Sequence, residues 1–185
     1  MLTPDQFRDN YFALLAESEE ITDIKVDSYM WNRNNHIFNS GLQITSEQWS
    51  NLVKVASIIK SNEDRFDMSD WHTENSCGTA HCIAGWATSL HMNDTNFDGN
   101  CDHVSIASAM LSQCAEPFFW ITDYNLGVGN IDMKEIYKGL PEKLVMKWFI
   151  DPILEEALKE SHELSTEINQ FIQKAREETQ ELTTV

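Results

Sequence analysis

A chain of 185 residues with 13 lysines and arginines against 30 aspartates and glutamates carries a formal net charge of −17, which repels phosphate backbones and anionic lipid and argues against direct binding to nucleic acid or to a membrane surface. Its 42% hydrophobic content, with six tryptophans and nine phenylalanines, supplies a core and excludes a globally disordered chain. No apolar run reaches the ~18 residues of a membrane span, and MLTPDQFRDN lacks the basic and apolar parts of a signal peptide, so a cytoplasmic protein with reduced cysteines is expected.

Thr3 and Pro4 followed by Gln6 predict a helix start, with Thr3 as N-cap, proline in the first helical position and glutamine placed for a capping box. Phe7, Tyr11, Leu14 and Leu15 fall on one face of this helix, which is expected to reach about Glu19. From Ile21 to Leu42 the apolar positions alternate weakly through Ile24, Val26 and Met30 and then give way to Asn32, Asn34, Asn35 and Asn39. That pattern predicts a short strand or extended segment and a loop, with residues 21–44 the place for any strand. Thr45 and Gln48 repeat the capping-box spacing, and Trp49, Leu52, Val53, Ala56 and Ile59 recur at helical period to about Asn62.

The stretch from Arg65 to Trp71 has bulky apolar groups but no helical stripe and is expected to lie extended against the core. A helix is predicted to start near Thr79 and to turn Cys82, Ile83, Trp86, Ala87 and Leu90 inward; after a run of turn formers, Asp102 caps the next helix. Pro141 opens a helix through Phe149 that Asp151 and Pro152 should interrupt or restart. Beyond it Leu158, Leu164, Ile168, Phe171, Ile172, Ala175 and Leu182 recur every three or four residues among acids. The expected fold is therefore mainly α: one helical domain over residues 1–152 and a long acidic amphipathic helix over 153–185, which docks on that domain or pairs two copies as a homodimer.

The densest stretch runs from Arg65 to Trp86. It reads Phe-Asp-Met-x-x-Trp from Phe66 to Trp71, then Cys-Gly-Thr-x-x-Cys-x-Ala-Gly from Cys77 to Gly85, and ends on Trp86. This pattern resembles a family of small bacterial and phage-type proteins for which no activity is established. The match is specific over Arg65 to Trp86 and loose from Leu52 to Phe149, through Ala107, Leu111, Phe118 and Phe119. A structural account suits the segment: Phe66, Met68 and Trp71 plug the core, Gly78 permits a tight turn, Thr79 caps a helix, and Ala84 and Gly85 let a neighbour approach.

Three chemistries are spelled out by residue type and spacing. Asp94, Asn96, Asp98, Asn100 and Asp102, with Gly99 at the sharp turn, follow a calcium-loop pattern, but Ser105 stands where a bidentate glutamate normally completes the shell. Cys77, His81, Cys101 and His103 offer the thiolate and imidazole ligands that Zn2+ prefers, at spacings unlike its usual closely paired cysteines. Cys77 in front of a helix start would have its thiolate favoured by the helix dipole, as a nucleophile needs, with His103 or His162 as base. The preferred expectation is a non-catalytic inhibitor or adaptor whose acidic surface binds a basic protein partner, nucleic-acid-like charge being one means, with Glu155, Glu156 and Glu160 in the contact.

Overall fold

The computed structural model describes residues 1–38, 41–69, 73–75, 78–94 and 102–160. These are mainly helical, and their buried apolar side chains form one connected cluster running from Leu2 to Ile153.

Helix α1 (Pro4–Thr22) begins at the expected capping box: the Gln6 amide donates to Thr3 Oγ1 at 3.3 Å and the Thr3 amide to Gln6 Oε1 at 2.8 Å. It outruns Glu19 by nearly a turn, because Thr22 is buried and donates its hydroxyl to the Ser18 carbonyl at 2.7 Å. Asp23, in the left-handed region at φ 53°, then ends it.

Residues 28–38, expected as strand or loop, form helix α2 (Ser28–Phe38). Asp27 accepts the Tyr29 amide at 2.8 Å at its start, and Met30 and Phe38, eight apart and so on one helical face, are both buried. Tyr11 donates its hydroxyl to the Met30 carbonyl at 3.3 Å, and Phe12 stacks on Trp31 at 5.5 Å. Aromatic contacts with α1 thus override the weak helix preference of the asparagines.

Helix α3 (Ser46–Ser61) repeats the Thr45–Gln48 capping box and buries Trp49, Leu52, Val53, Val55, Ala56, Ile58 and Ile59. So broad an apolar surface suits a central helix. After a 3₁₀ turn at Glu63–Arg65 the chain bridges in parallel with residue 81, where the His81 amide donates to the Arg65 carbonyl at 3.1 Å and the Asp67 amide to the His81 carbonyl at 3.2 Å. Strands β1 (Thr73–Asn75) and β2 (Gly78–Ala80) pair antiparallel, with Glu74 opposite Thr79. The bridge and hairpin occupy the backbone through His81, so helix α4 (Ile83–Met92) starts at Ile83, with extended Cys82 in the cap position, and not near Thr79.

Helix α5 (His103–Leu111) has Asp102 as its N-cap and lies along α4, with both helices against α3. Helix α6 (Glu116–Phe119) leads into a loop anchored by buried Ile121, Leu126 and Val128, followed by α7 (Ile131–Ile136). Helix α8 (Leu140–Val145), a π turn over Met146–Ile150 and helix α9 (Asp151–Glu160) then run on without a break. Pro152 therefore does not interrupt the helix: the Asp151 amide reaches back five residues to the Met146 carbonyl, and this wider turn accommodates a ring that lacks the amide an α-helix would use there. Ile153 is buried and α9 lies against α3, while residues 161–185 fall outside the described part.

The centre of the core is an aromatic set drawn from distant parts of the chain. Phe118 lies 4.6 Å from Phe149 and 5.5 Å edge-on from Tyr11, and Phe7 lies 5.9 Å from Phe149. Phe66 and Trp86, expected to face inward, are both buried, and Trp71 lies outside the described residues. No helix among the described residues is long and apolar enough to cross a membrane.

Candidate functional site

The described part of the Arg65–Trp86 segment is a buried polar knot. Arg65 is 6% exposed, with its guanidinium 5.3 Å from the Trp86 ring centroid on the cation–π side, and burial pushes its pKa down. His81, fully buried, meets the same indole edge-on at 4.8 Å. Arg65 and His81 are thus both turned onto one tryptophan by the backbone bridge that joins their segments. Trp86 Nε1 has no hydrogen-bond partner among the described residues.

Next to this knot the charges of Asp67 and Asp123 both bear on the carboxylate of Glu142. Glu142, in the first turn of α8, accepts the Met68 amide at 2.7 Å. Burial pushes its pKa up, the Met68 hydrogen bond pulls it down, and the charges of Asp67 and Asp123 push it up again, for a net rise. Asp123 is raised as well, first by burial and then by Asp67, against a lowering by Lys134, whose Nζ is 3.9 Å away. Asp67 is braced by the amide and hydroxyl of Ser69. Sequence reasoning missed this trio because the residues lie on a loop, a second loop and a helix start, which only tertiary contact brings together.

The expected ligand sets are placed as follows. Asp94 is exposed just past α4, and Asp102 spends its carboxylate on Ser105, accepting the Ser105 amide at 3.1 Å and hydroxyl at 2.7 Å. Asn96, Asp98 and Asn100 lie outside the described residues, as do Cys77 and Cys101. Of the zinc set, His81 packs on Trp86, and His103 Nδ1 lies 3.4 Å from the Thr88 hydroxyl. Among the described residues no group of three or more His, Cys, Asp or Glu side chains is placed to hold a metal ion. The helix expected to start just after Cys77 begins at Ile83, beyond β2. Cys82 and Cys114 are both buried, and burial pushes the Cys114 thiol up.

Two adjoining grooves of about 550 and 590 Å3 share Gln48 and Ala109 between α3 and α5. Much of their polar lining is already engaged within the protein: Gln48 and Asn51 donate to the Ala109 and Met110 carbonyls, and Ser108 donates to Glu116.

On α9, Glu155 is exposed, whereas Glu156 is half-buried and joined to the N-terminal amine at 3.2 Å and to Lys159 at 3.0 Å. The Glu160 side chain is outside the described ones. Leu158, three residues beyond Glu155, is 84% exposed, while Ile153 on the far side of the helix is fully buried. The helix is therefore anchored on one side and presents an acid and a leucine together on the other. No family model, curated protein or solved structure matches the chain.

Proposed function

We propose that this protein is a non-catalytic inhibitor or adaptor that binds a basic protein partner, and that α9 contributes to the contact. The observation that carries the reading is the pairing of exposed Glu155 with Leu158 on a helix whose opposite face is buried. An apolar anchor beside a carboxylate, on a helix already ordered by its own core, loses little conformational freedom on binding. The overall charge of −17 would speed encounter with a cationic surface and discourage nucleic acid as a ligand.

The test keeps Glu156, because reversing that residue would also break its ion pairs with Met1 and Lys159. Full-length parent and a Glu155→Lys/Glu160→Lys variant are used to capture proteins from the source cells, across a series of salt concentrations. The reading expects a partner that the parent retains and releases as salt rises, and that the variant loses at unchanged melting temperature. Equal recovery on parent and variant, or retention indifferent to salt, overturns it.

A further inference from the structure

We propose that the outward side of α5 is the seat of the chain's own C-terminal segment, residues 161–185, whose apolar stripe from Leu164 to Ala175 covers it in the same molecule. This surface differs from the rest of the protein. In a chain of net charge −17, α5 has no aspartate, glutamate, lysine or arginine. His103, Ala107 and Leu111 fill its buried side, and the opposite side is uncharged as well: Ala109 is exposed, while Val104, Ile106 and Met110 are half-buried. A helix this apolar on every side belongs inside a protein, and one side of α5 is open.

The shape suits a second helix. Ser105 and Ala109, both exposed and one turn apart, make a low ridge along the outward side of α5. The grooves of about 550 and 590 Å3 run beside it, the first lined by Leu90 and Met110 and the second by Leu42 and Val104. Small side chains on such a ridge let a neighbouring helix come close. Gln48, Asn51 and Ser108 already donate to the Ala109 carbonyl, the Met110 carbonyl and Glu116, so covering the grooves strands none of these three. What remains on offer to an incoming segment is chiefly apolar contact.

Chemistry and tether together identify the occupant. Leu164, Ile168, Phe171, Ile172 and Ala175 recur at helical spacing, and from Leu164 to Ala175 the sequence carries one acid, Glu167, and one base, Lys174. This neutral stretch of an acidic segment meets the uncharged helix without repulsion. Helix α9 brings it within reach, because α9 and α5 both pack on α3 and residues 161–185 continue from Glu160. At about 1.5 Å per residue, the segment spans about 37 Å even as a helix, more than the ~30 Å diameter of a small domain. Being joined to α9, it competes for α5 at an effective concentration of about millimolar order, which favours it over a separate partner or a second copy.

The experiment follows amide hydrogen exchange of residues 164–175 in the full chain, with the native mass recorded on the same sample. In the parent, a monomer by mass, these amides should exchange far more slowly than in an unstructured peptide of the same sequence. Ala109→Glu alters an exposed position of α5 and would bury an unpaired carboxylate in the contact, so it should speed the exchange by about tenfold or more. Exchange as fast as in the free peptide, or equal exchange in parent and variant, overturns the proposal. So does the native mass of a dimer, which would place the segment on a second copy. Should Ala109→Glu not fold, Phe171→Asp decides: release of the segment should speed peroxide oxidation of half-buried Met110 several-fold, and an unchanged rate overturns the proposal.

Discussion

Phe149 tests how the helical body is assembled, because it sits in the π turn and its ring meets two others at the centre of the core. It is 1% exposed and lies 4.6 Å from Phe118 and 5.9 Å from Phe7, rings that belong to α6 and α1. Truncating a buried phenylalanine to alanine costs about 3–5 kcal/mol through lost transfer energy and the cavity left behind. Leucine would keep most of the volume and lose chiefly the ring–ring terms, each worth about 0.5–1.5 kcal/mol, so Phe149→Leu should cost about 1–3 kcal/mol. For a domain of this size, Phe149→Ala should lower the melting temperature by roughly 6–20 °C. Urea unfolding followed by circular dichroism measures both variants, with an unchanged slope establishing that the midpoint reports stability. A loss below about 1 kcal/mol for Phe149→Ala, or equal losses for alanine and leucine, would refute the central role given to the aromatic set.

Three further outcomes are expected. Thr45→Ala should cost about 0.5–2 kcal/mol by removing the N-cap of α3, and Gln48→Ala should cost more than Thr45→Ala in the same denaturation assay, because its Nε2 also donates to the Ala109 carbonyl of α5 at 3.3 Å. Burial pushes the Glu17 carboxyl up, but its hydrogen bonds with Lys147 and Trp148 outweigh this and hold it below its usual range, so its stabilisation is present above that range and is lost as pH falls through the folded value. A melting-temperature series from pH 6 to 2 should accordingly fall less steeply in Glu17→Gln than in the parent, and parallel curves would contradict the assignment.

Much of the helical framework was legible in the chain, since its signals are local. The Thr3–Gln6 and Thr45–Gln48 pairs place two helix starts because a cap and its reciprocal partner lie within one turn. The stripe from Trp49 to Ile59 identifies a buried helix for the same reason, and Asp102 announces α5. Tertiary contact decided the rest. Helix α2 exists because Tyr11 and Phe12 cover Met30, Trp31 and Phe38, contacts that the asparagine-rich sequence does not display. The start of α4 moved from Thr79 to Ile83 because the bridge from Arg65 and Asp67 uses both backbone groups of His81, and Pro152 passed into a helix because a π turn precedes it.

The candidate sites divide on the same line. Glu155 and Leu158 could be read as neighbours on a helix face from their spacing alone, although only burial of Ile153 showed which face is turned outward. Asp67, Asp123 and Glu142 share no spacing at all. Local hydrogen bonds and periodicity are properties of the chain, whereas the burial of Glu142 and the bearing of Asp67 and Asp123 on it arise only from contacts between segments remote in sequence.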